Sequence, residues 1–296
     1  MRPVTAVIIS KPHHLINSLN LLQQLKIKKN IIFVICNSFN GSKDLAQNLS
    51  CLDNWNIKAE IIFEPNRMKA TSRLKDKNVK LLLSDSDVGL RHHIAFLVMK
   101  LRHRKLDISL YEEGWGPYFL KVESIIKIFF LDILKAGKHF GGSYFTKSIY
   151  LYDPDVYKTN FPLAAEKAVL LKNTFEEYYR SEKNLLDNIF PIKDLDFLAN
   201  EKVRESCVIY LTDKHFDFSM LPTHGIKNAD HYIKFHPGLE LMYDIDNWYN
   251  LSSHISAELY LMKLKDSYSN ITVYHHKSSV TRYLSDDCFN FIDLGK

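Results

Sequence analysis

The feature that most constrains the fold is a regular alternation of short apolar runs with segments of helical periodicity. Runs rich in β-branched residues recur through the first part of the chain, at Thr5–Ile9, Ile31–Cys36, Ile57–Phe63, Val79–Leu83 and Ile108–Tyr111. Between them, apolar residues repeat at helical spacing, as in His13–Leu25 and Gly89–Leu101. Strands that alternate with helices favour a parallel sheet, because a crossover helix returns the chain to the same end of the sheet. The sequence therefore predicts an α/β fold.

A second series of the same kind occupies the C-terminal part of the chain. Its β-prone runs are Cys207–Leu211, Tyr232–Phe235 and Ile271–Tyr274. A helical segment at Ser256–Leu264 lies among them, and Ser256 is its predicted N-cap. A chain of 296 residues is long enough for two domains.

The charged, helix-prone stretch that separates the two series is typical of a connection between domains. We therefore predict a first domain at residues 1–160, a helical connection at 161–204 and a second domain at 205–296.

The fifth strand run leads into the loop Tyr111–Tyr118, which combines two acids with two glycines and a proline. The carboxyl end of a strand is where open α/β sheets hold their ligands. Neighbouring residues of an extended chain point to opposite sides, so Glu112 and Glu113 are predicted to have different tasks, one at a ligand and one within the loop. Gly114 lets backbone approach a ligand, and Trp115 offers a flat wall for a sugar ring. The alternative is a surface turn with solvated acids.

Two further sites are predicted in the second half of the chain. Lys234 and His236 alternate at the end of a strand run, so both are expected on one side, where they would bind a phosphate while Pro237 ends the strand. Ser278-Ser279 follows another strand run at the start of a short helix, where the serines either bind an anion or cap the helix. Glu258, on the preceding helix, could accept hydrogen bonds from a ribose.

In this order, these residues resemble the motifs of the bacterial sialyltransferases of the GT-B type, especially glycosyltransferase families 52 and 80 and the capsule polysialyltransferases. The resemblance rests on the acid-acid-Gly motif within Tyr111–Tyr118, on His236-Pro237, on Glu258 and on Ser278-Ser279. The Ser10–His14 turn is more loosely similar to the first strand-to-helix turn of family 52. Two glutamates stand where many members of these families have two aspartates.

The resemblance implies two Rossmann-like domains that face each other across a cleft. It implies that Glu112 is the general base for the acceptor hydroxyl and that His236 contacts the donor phosphate and assists the departure of CMP. Ser278 and Ser279 would bind that phosphate, and Glu258 would bind the ribose. We expect the remaining members of the donor site to be Lys234, Pro237 and Thr212, and those of the acceptor side to be Glu113, Gly114, Trp115, His13 and Asn37.

The expected activity is inverting transfer of sialic acid from CMP-sialic acid to a hydroxyl of a cell-surface glycan, such as lipooligosaccharide, O-antigen or a capsule precursor. The expected partners are this donor and an oligosaccharide or lipid-linked acceptor, without nucleic acid. One alternative is transfer of Kdo or another CMP-activated sugar acid. The other is a non-catalytic protein that binds glycans or nucleic acid, suggested by the basic helices and the 12% of aromatic residues.

No metal or other cofactor is expected. Asp85–Asp87 and Asp244–Asp246 each have the pattern Asp-x-Asp, which is the metal–nucleotide motif of a different glycosyltransferase architecture. The first lies between a strand run and a helix start, where helix capping accounts for it. The sequence therefore predicts a metal-independent reaction.

Charge and cysteine content suggest a location. Lys and Arg are concentrated between Arg67 and Lys105, and such a surface attracts anionic lipid, nucleic acid or phosphorylated substrates. The four cysteines form no CxxC pair and are interpreted as reduced thiols. The first ten residues have the pattern of a strand rather than of a secretory signal, and the longest apolar run, Ile125–Leu134, is too short to span a bilayer. We expect a cytoplasmic protein with peripheral contact to the inner face of the cytoplasmic membrane.

Overall fold

The computed structural model describes residues 2–198, 203–213, 219, 221, 229–236, 239, 245–285 and 287–295. The chain divides into two compact units. The first consists of Met1–Ser38 with Ser42–Ile189, and the second of Phe39–Gly41 with Phe190–Lys296. The domain bounds given by the sequence stay predictions.

The described part of the first unit is built on a seven-stranded sheet in the order β3-β2-β1-β4-β5-β6-β7. Its strands are β1 (Val4–Ile9), β2 (Ile31–Cys36), β3 (Ala59–Glu64), β4 (Val79–Ser84), β5 (Asp107–Tyr111), β6 (Thr146–Leu151) and β7 (Ala168–Leu170). All neighbouring strands run parallel. Every residue of β2 is buried, which explains its unbroken apolar sequence, because a central parallel strand is covered on both faces.

Helices and short 3₁₀ segments connect these strands. The helices are α1 (Pro12–Gln24), α2 (Ser42–Asn48), α3 (Leu90–Arg102), α4 (Gly116–Phe119), α5 (Ile125–Ile133), α6 (Pro154–Asn160), α7 (Phe175–Ser181) and α8 (Lys183–Ile189). The 3₁₀ segments are Leu49–Trp55, Arg67–Leu74 and Pro162–Lys167. No helix among the residues that the structure describes has the length and apolar character to cross a membrane.

After β5 the structure has two separate helices, α4 and α5, instead of one continuous helix. The Val122 N–H donates to the Lys138 carbonyl at 2.7 Å, and Lys121 forms an isolated bridge with His139. The chain between the helices therefore leaves the helical path to pair with the segment that follows α5. This long-range pairing has no local signal in the sequence.

The described part of the second unit contains a five-stranded parallel sheet in the order β10-β9-β8-β11-β12. Its strands are β8 (Arg204–Leu211), β9 (Asp230–Lys234), β10 (Tyr249–Leu251), β11 (Tyr268–His275) and β12 (Phe289–Asp293). They are accompanied by the 3₁₀ segment Lys193–Leu198 and by the helices α9 (Ala257–Lys265) and α10 (Val280–Tyr283). Ser256 caps α9 as predicted, because its Oγ accepts from the Leu259 N–H at 3.4 Å.

The two sheets share one topology. Counted within each unit, the first five strands have the order 3-2-1-4-5 of doubly wound Rossmann-like folds. In such a sheet the crevice for ligands lies outside the carboxyl ends of the strands, where the strand order reverses. That switch point lies between β1 and β4 in the first unit and between β8 and β11 in the second. The prediction of an α/β fold with two Rossmann-like domains is confirmed.

Asp87, in the first Asp-x-Asp pattern, does not cap a helix, so that part of the sequence interpretation is wrong. Its buried carboxylate accepts from the Gly141 N–H at 2.8 Å, the Ser143 N–H at 3.0 Å and the Thr146 hydroxyl at 2.7 Å. The N-cap of α3 is Gly89, which has no side chain that could accept a hydrogen bond from the first turn of the helix. Asp87 instead fixes the chain that leads into β6.

We expect Asp87→Ala to lower the free energy of unfolding by about 3 kcal/mol, because three buried donors would lose a charged acceptor. The matched control is Asp132→Ala, which removes an exposed pair with Lys138 and should cost less than about 1 kcal/mol. Urea titrations followed by circular dichroism measure both values. Equal losses in the two variants would contradict the structural role of Asp87.

Candidate active site

Glu112, at the carboxyl end of β5, is fully buried, and its carboxylate accepts hydrogen bonds from its own chain. Its Oε2 accepts from the Tyr118 hydroxyl at 2.5 Å and from the Tyr152 N–H at 3.1 Å. Its Oε1 accepts from the Gly114 N–H at 3.2 Å, and its carbonyl accepts from Asn17 Nδ2 at 3.0 Å. These contacts tie the acid-acid-Gly loop to α1, to α4 and to the end of β6.

Glu113 has different surroundings, with 11% of its side chain exposed. Its Oε2 lies 3.9 Å from Lys11 Nζ and 3.9 Å from His14 Nε2. Burial is the main cause that raises the pKa of Glu113 to about 7, with Asp85 adding to the rise and Lys11 opposing it. Gly116 makes room for this carboxyl group, since a Cβ at that position would collide with Glu113 Oε1.

A buried polar network connects the ends of β1 and β4 beside Glu113. The Asp85 carboxylate accepts from the Ser10 hydroxyl and from Arg67 Nη2, the latter at 2.7 Å. His14 Nδ1 lies 3.2 Å from Ser10 Oγ and 3.5 Å from Asp85 Oδ2. These groups lie at the switch point of the sheet.

The His14 imidazole is neutral in this network. Burial, reinforced by the neighbouring His13, Lys11 and Arg67, holds the pKa of His14 well below its usual value. Its Nε2 is buried and has no hydrogen-bond partner among the described residues, and it lies 3.9 Å from the Glu113 carboxyl group. His14 can therefore offer Glu113 a hydrogen bond after a small movement, depending on its tautomer.

No site role was predicted from the sequence for Ser10, His14, Arg67 or Asp85. A signal for three of them was present, because Ser10 and Asp85 lie just after strand runs and His14 lies in the first turn of the helical segment after the first run. Their convergence required knowledge that β1 and β4 are neighbours.

The predicted acceptor-side residues make the following contacts. His13 Nε2 lies 3.2 Å from the Glu113 carbonyl oxygen, and burial lowers the pKa of His13 to about 3. Trp115 packs against Phe119, with ring centroids 5.3 Å apart. Asn37 Oδ1 accepts from the Ser42 hydroxyl at 2.9 Å, at the start of α2. The structure thus brings His13 to the Glu113 backbone, whereas Trp115 contacts Phe119 and Asn37 contacts Ser42.

In the second unit, three predicted donor-site residues interact: Lys234 and Glu258 are buried, and Ser279 is half-buried. Lys234, at the end of β9, is 5% exposed, and burial lowers its pKa to about 8 although Glu258 and Asp194 attract its charge. Burial also raises the pKa of Glu258, against the opposing effects of Ser256, Lys234 and Ser279. The Ser279 hydroxyl donates to Glu258 Oε1 at 3.5 Å.

The remaining predicted donor residues lie at the same carboxyl edge of this sheet. The Thr212 N–H donates to the Lys234 carbonyl at 3.1 Å, and the Thr212 hydroxyl accepts from the His236 N–H at 2.9 Å. Ser278 Oγ accepts from the Val280 N–H at 3.4 Å, a local side-chain-to-backbone bond at the start of α10. The chain from His275 to Ser279 and Thr212 flank the switch point between β11 and β8. Pro237 lies outside the described residues.

Within the described ranges, no three His, Cys, Asp or Glu side chains are grouped as ligands for a metal ion. Independence from metals stays a prediction. The second Asp-x-Asp pattern includes Asp244, which lies outside the described residues.

No protein-family profile matches this chain, and no curated protein matches it in sequence. Solved structures with a similar fold include the UDP-GlcNAc 2-epimerase of Methanocaldococcus jannaschii, in complex with UDP-GlcNAc and UDP. It is 9% identical and has a TM-score of 0.57, over 99% of this chain and 90% of the epimerase. The UDP-N-acetylglucosamine 2-epimerase from Rickettsia bellii is 15% identical, with a TM-score of 0.52 over 92% of this chain and 74% of that one.

The wall teichoic acid polymerase TagF, solved with CDPG, is 11% identical and matches with a TM-score of 0.46 over 93% of this chain and 66% of its own. None of these three proteins is described as a sialyltransferase. The two epimerases, at 9% and 15% identity, establish similarity of fold. The chain therefore has a GT-B-like α/β fold, similar to that of these two epimerases.

Proposed function

We propose that this protein is an inverting glycosyltransferase with a nucleotide-activated sugar as donor, and that the donor is CMP-sialic acid. The observation that carries the proposal is the Glu113 carboxyl group, nearly buried at the carboxyl edge of a parallel sheet with a pKa of about 7. Such a group is half ionised near neutral pH and can take a proton from an attacking hydroxyl. The position of Glu113 beside the switch point supports a role in contacting a bound substrate.

We propose that the two acids of the loop have the opposite roles to those implied by the family resemblance. The fully buried Glu112 carboxylate accepts from three donors of its own chain, which hold it in place. Glu113 has a partly exposed carboxyl group, with Lys11 and His14 at 3.9 Å. Glu112 then serves as the anchor of the loop and Glu113 as the general base.

In the proposed reaction, an acceptor hydroxyl oxygen forms a bond to the anomeric carbon while the bond from that carbon to the donor phosphate breaks. The electron pair of the broken bond remains on the phosphate oxygen of CMP, and the hydroxyl proton passes to Glu113. Lys11 favours the ionised form of Glu113 before the reaction, because opposite charges attract. His14, neutral and buried, orients the carboxyl group.

We propose that the donor phosphate binds at the cluster of Lys234, Glu258 and Ser279. A buried lysine with a pKa of about 8 is mostly protonated at neutral pH, and a phosphate would offset the cost of burying its charge. Glu258 remains the proposed ribose acceptor. His236, held by Thr212, and Ser278 remain proposed phosphate contacts.

The exchange of roles is tested with two matched substitutions. Glu113→Gln keeps the shape of the side chain and removes its basicity, so kcat should fall by about 10²–10⁴. Glu112→Gln should act mainly on stability, because it weakens the contacts to Tyr118 and the loop. Transfer rates from CMP-sialic acid and melting temperatures are measured for both. If Glu112→Gln has the larger kinetic loss and an unchanged melting temperature, Glu112 is the base after all.

The pKa of Glu113 also predicts a pH dependence of stability. Because the folded-state value is raised from 4.5 to about 7, the folded protein holds the proton more tightly and the free energy of unfolding falls as pH rises through this window. Glu113→Gln should remove this fall, which amounts to about 3 kcal/mol. Urea titrations of wild type and variant at pH 4.5, 6 and 8 give the free energy of unfolding of each protein. If this free energy changes with pH in the same way in both proteins, Glu113 does not have the raised pKa that its burial predicts.

The donor site is tested with nucleotide binding. Lys234→Met should weaken CMP binding about tenfold or more, because a charge-assisted phosphate contact is lost. In the wild type, CMP affinity should fall as pH rises above about 8, where Lys234 loses its proton. The control is Lys263→Met, at the far end of α9. Calorimetry with CMP, UMP, GDP and UDP-GlcNAc measures these affinities, and preference for a uridine nucleotide would overturn the CMP assignment.

Turnover distinguishes the two CMP-linked sugar acids. CMP-sialic acid and CMP-Kdo are compared as donors with the same pool of glycan acceptors. Transfer from CMP-Kdo alone would replace the sialyltransferase proposal with the Kdo alternative.

A further inference from the structure

Helix α5 presents its apolar side chains to the outside. Its large apolar residues, each between 46% and 83% exposed, are Ile125, Ile126, Phe129, Phe130, Ile133 and the adjoining Leu134. At about 100° per residue they cover roughly half of the helix circumference without interruption. Leu131, on the opposite side, is buried. A helix that served only the core would have the reverse arrangement.

Helix α3 of the same unit has a second exposed apolar stripe. Its members are separated by helical spacings, are between 40% and 72% exposed, and comprise Leu90, Ile94, Leu97, Val98 and Leu101. Its opposite face is buried through Phe96 and Met99. The Gly89 N–H donates to the Gly137 carbonyl at 2.7 Å, which joins the start of α3 to the chain that leaves α5. We call the exposed residues of α3 and α5 the apolar surface.

Positive charge accompanies the apolar surface. From residue 89 to residue 106 there are five Lys and Arg residues and no acid. From residue 119 to residue 138 there are four lysines against Glu123 and Asp132, and Asp132 is paired with Lys138 at 2.7 Å. Both parts of the apolar surface are therefore cationic.

The exposed apolar side chains and the positive charge around them together indicate what binds to the apolar surface. A second copy of the chain would bring the same cationic rim against itself and meet like-charge repulsion. An anionic bilayer offers both an apolar interior for Ile, Leu and Phe and negative headgroups for Lys and Arg. We propose that the apolar surface docks on an anionic lipid bilayer, with α5 lying in the plane of the interface. At nine residues and about 1.5 Å per residue, α5 suits this orientation rather than a span.

The docking would also serve the proposed reaction. The loop that carries Glu113 continues through α4 to α5, and α5 begins at Ile125, twelve positions after the candidate base. A lipid-linked glycan acceptor would be held near that loop. This consequence rests on the proposed function, whereas the docking itself does not depend on any reaction.

The experiment is flotation of the full chain with vesicles, in the absence of substrates. Vesicles of phosphatidylcholine alone are compared with vesicles that also contain phosphatidylglycerol. The wild type should bind the anionic vesicles, and Ile126→Ser/Phe130→Ser should reduce its partition coefficient by about tenfold or more, because two large apolar side chains would no longer insert. The matched control is Leu163→Ser/Leu170→Ser, which removes two exposed leucines outside the apolar surface. The control should bind as the wild type does.

A second variant separates the electrostatic contribution. Lys127→Gln/Lys135→Gln should weaken binding to anionic vesicles by about fivefold for each lysine and leave binding to neutral vesicles unchanged. Circular dichroism and melting temperatures verify that all variants fold.

Two outcomes would overturn the proposal. One is equal vesicle binding by the α5 variant and the leucine control. The other is a wild-type oligomer, measured by light scattering without vesicles, that Ile126→Ser/Phe130→Ser converts to a monomer, since the surface would then be an interface between copies. CMP binding is measured on the same variants, so loss of docking with intact CMP binding is distinguished from failure of the proposed function.

Discussion

The parallel direction of the strands determines where the candidate functional groups lie. Because neighbouring strands in both sheets run the same way, all their carboxyl ends meet at one edge of each sheet. The strand order then reverses at one place in each sheet, and the adjacent loops separate there to leave a crevice. Asp85 and Glu113 in the first unit, and Lys234 and Ser279 in the second, lie at these edges. A change in the direction of one central strand would scatter these groups.

Burial at these edges is what gives the groups their chemical properties. It is the largest influence on the pKa of Glu113, Lys234 and His14, and it moves each toward its neutral form. An acid is thereby raised to about 7 and a lysine lowered to about 8. Both groups can then gain or lose a proton at small energetic cost near neutral pH, as proton transfer and anion binding require. The same groups in water would be fixed in their charged forms.

The two glutamates show how neighbours with one chemistry acquire different properties. Glu112 faces Tyr118 and backbone N–H groups that satisfy it, whereas Glu113 faces Lys11, His14 and solvent. Alternation along an extended chain separates the two side chains, but the surrounding elements decide which of them is enclosed. The apolar surface depends on a similar choice. The Ile125–Leu134 run is apolar enough for a core, yet Leu131 is its only buried residue in the structure.

The sequence by itself determined the class of fold, most of the strands and the loop that carries the acids, because these depend on local periodicity and on turn residues. It predicted β2 and the Ser256 cap correctly for that reason. It also indicated that Glu112 and Glu113 would differ. Only the tertiary structure decided which strands are neighbours, and so placed Ser10, His14 and Arg67 around the Asp85 carboxylate, with His14 also beside Glu113. Such contacts join residues up to about a hundred positions apart, and their formation depends on packing and desolvation that no local pattern encodes.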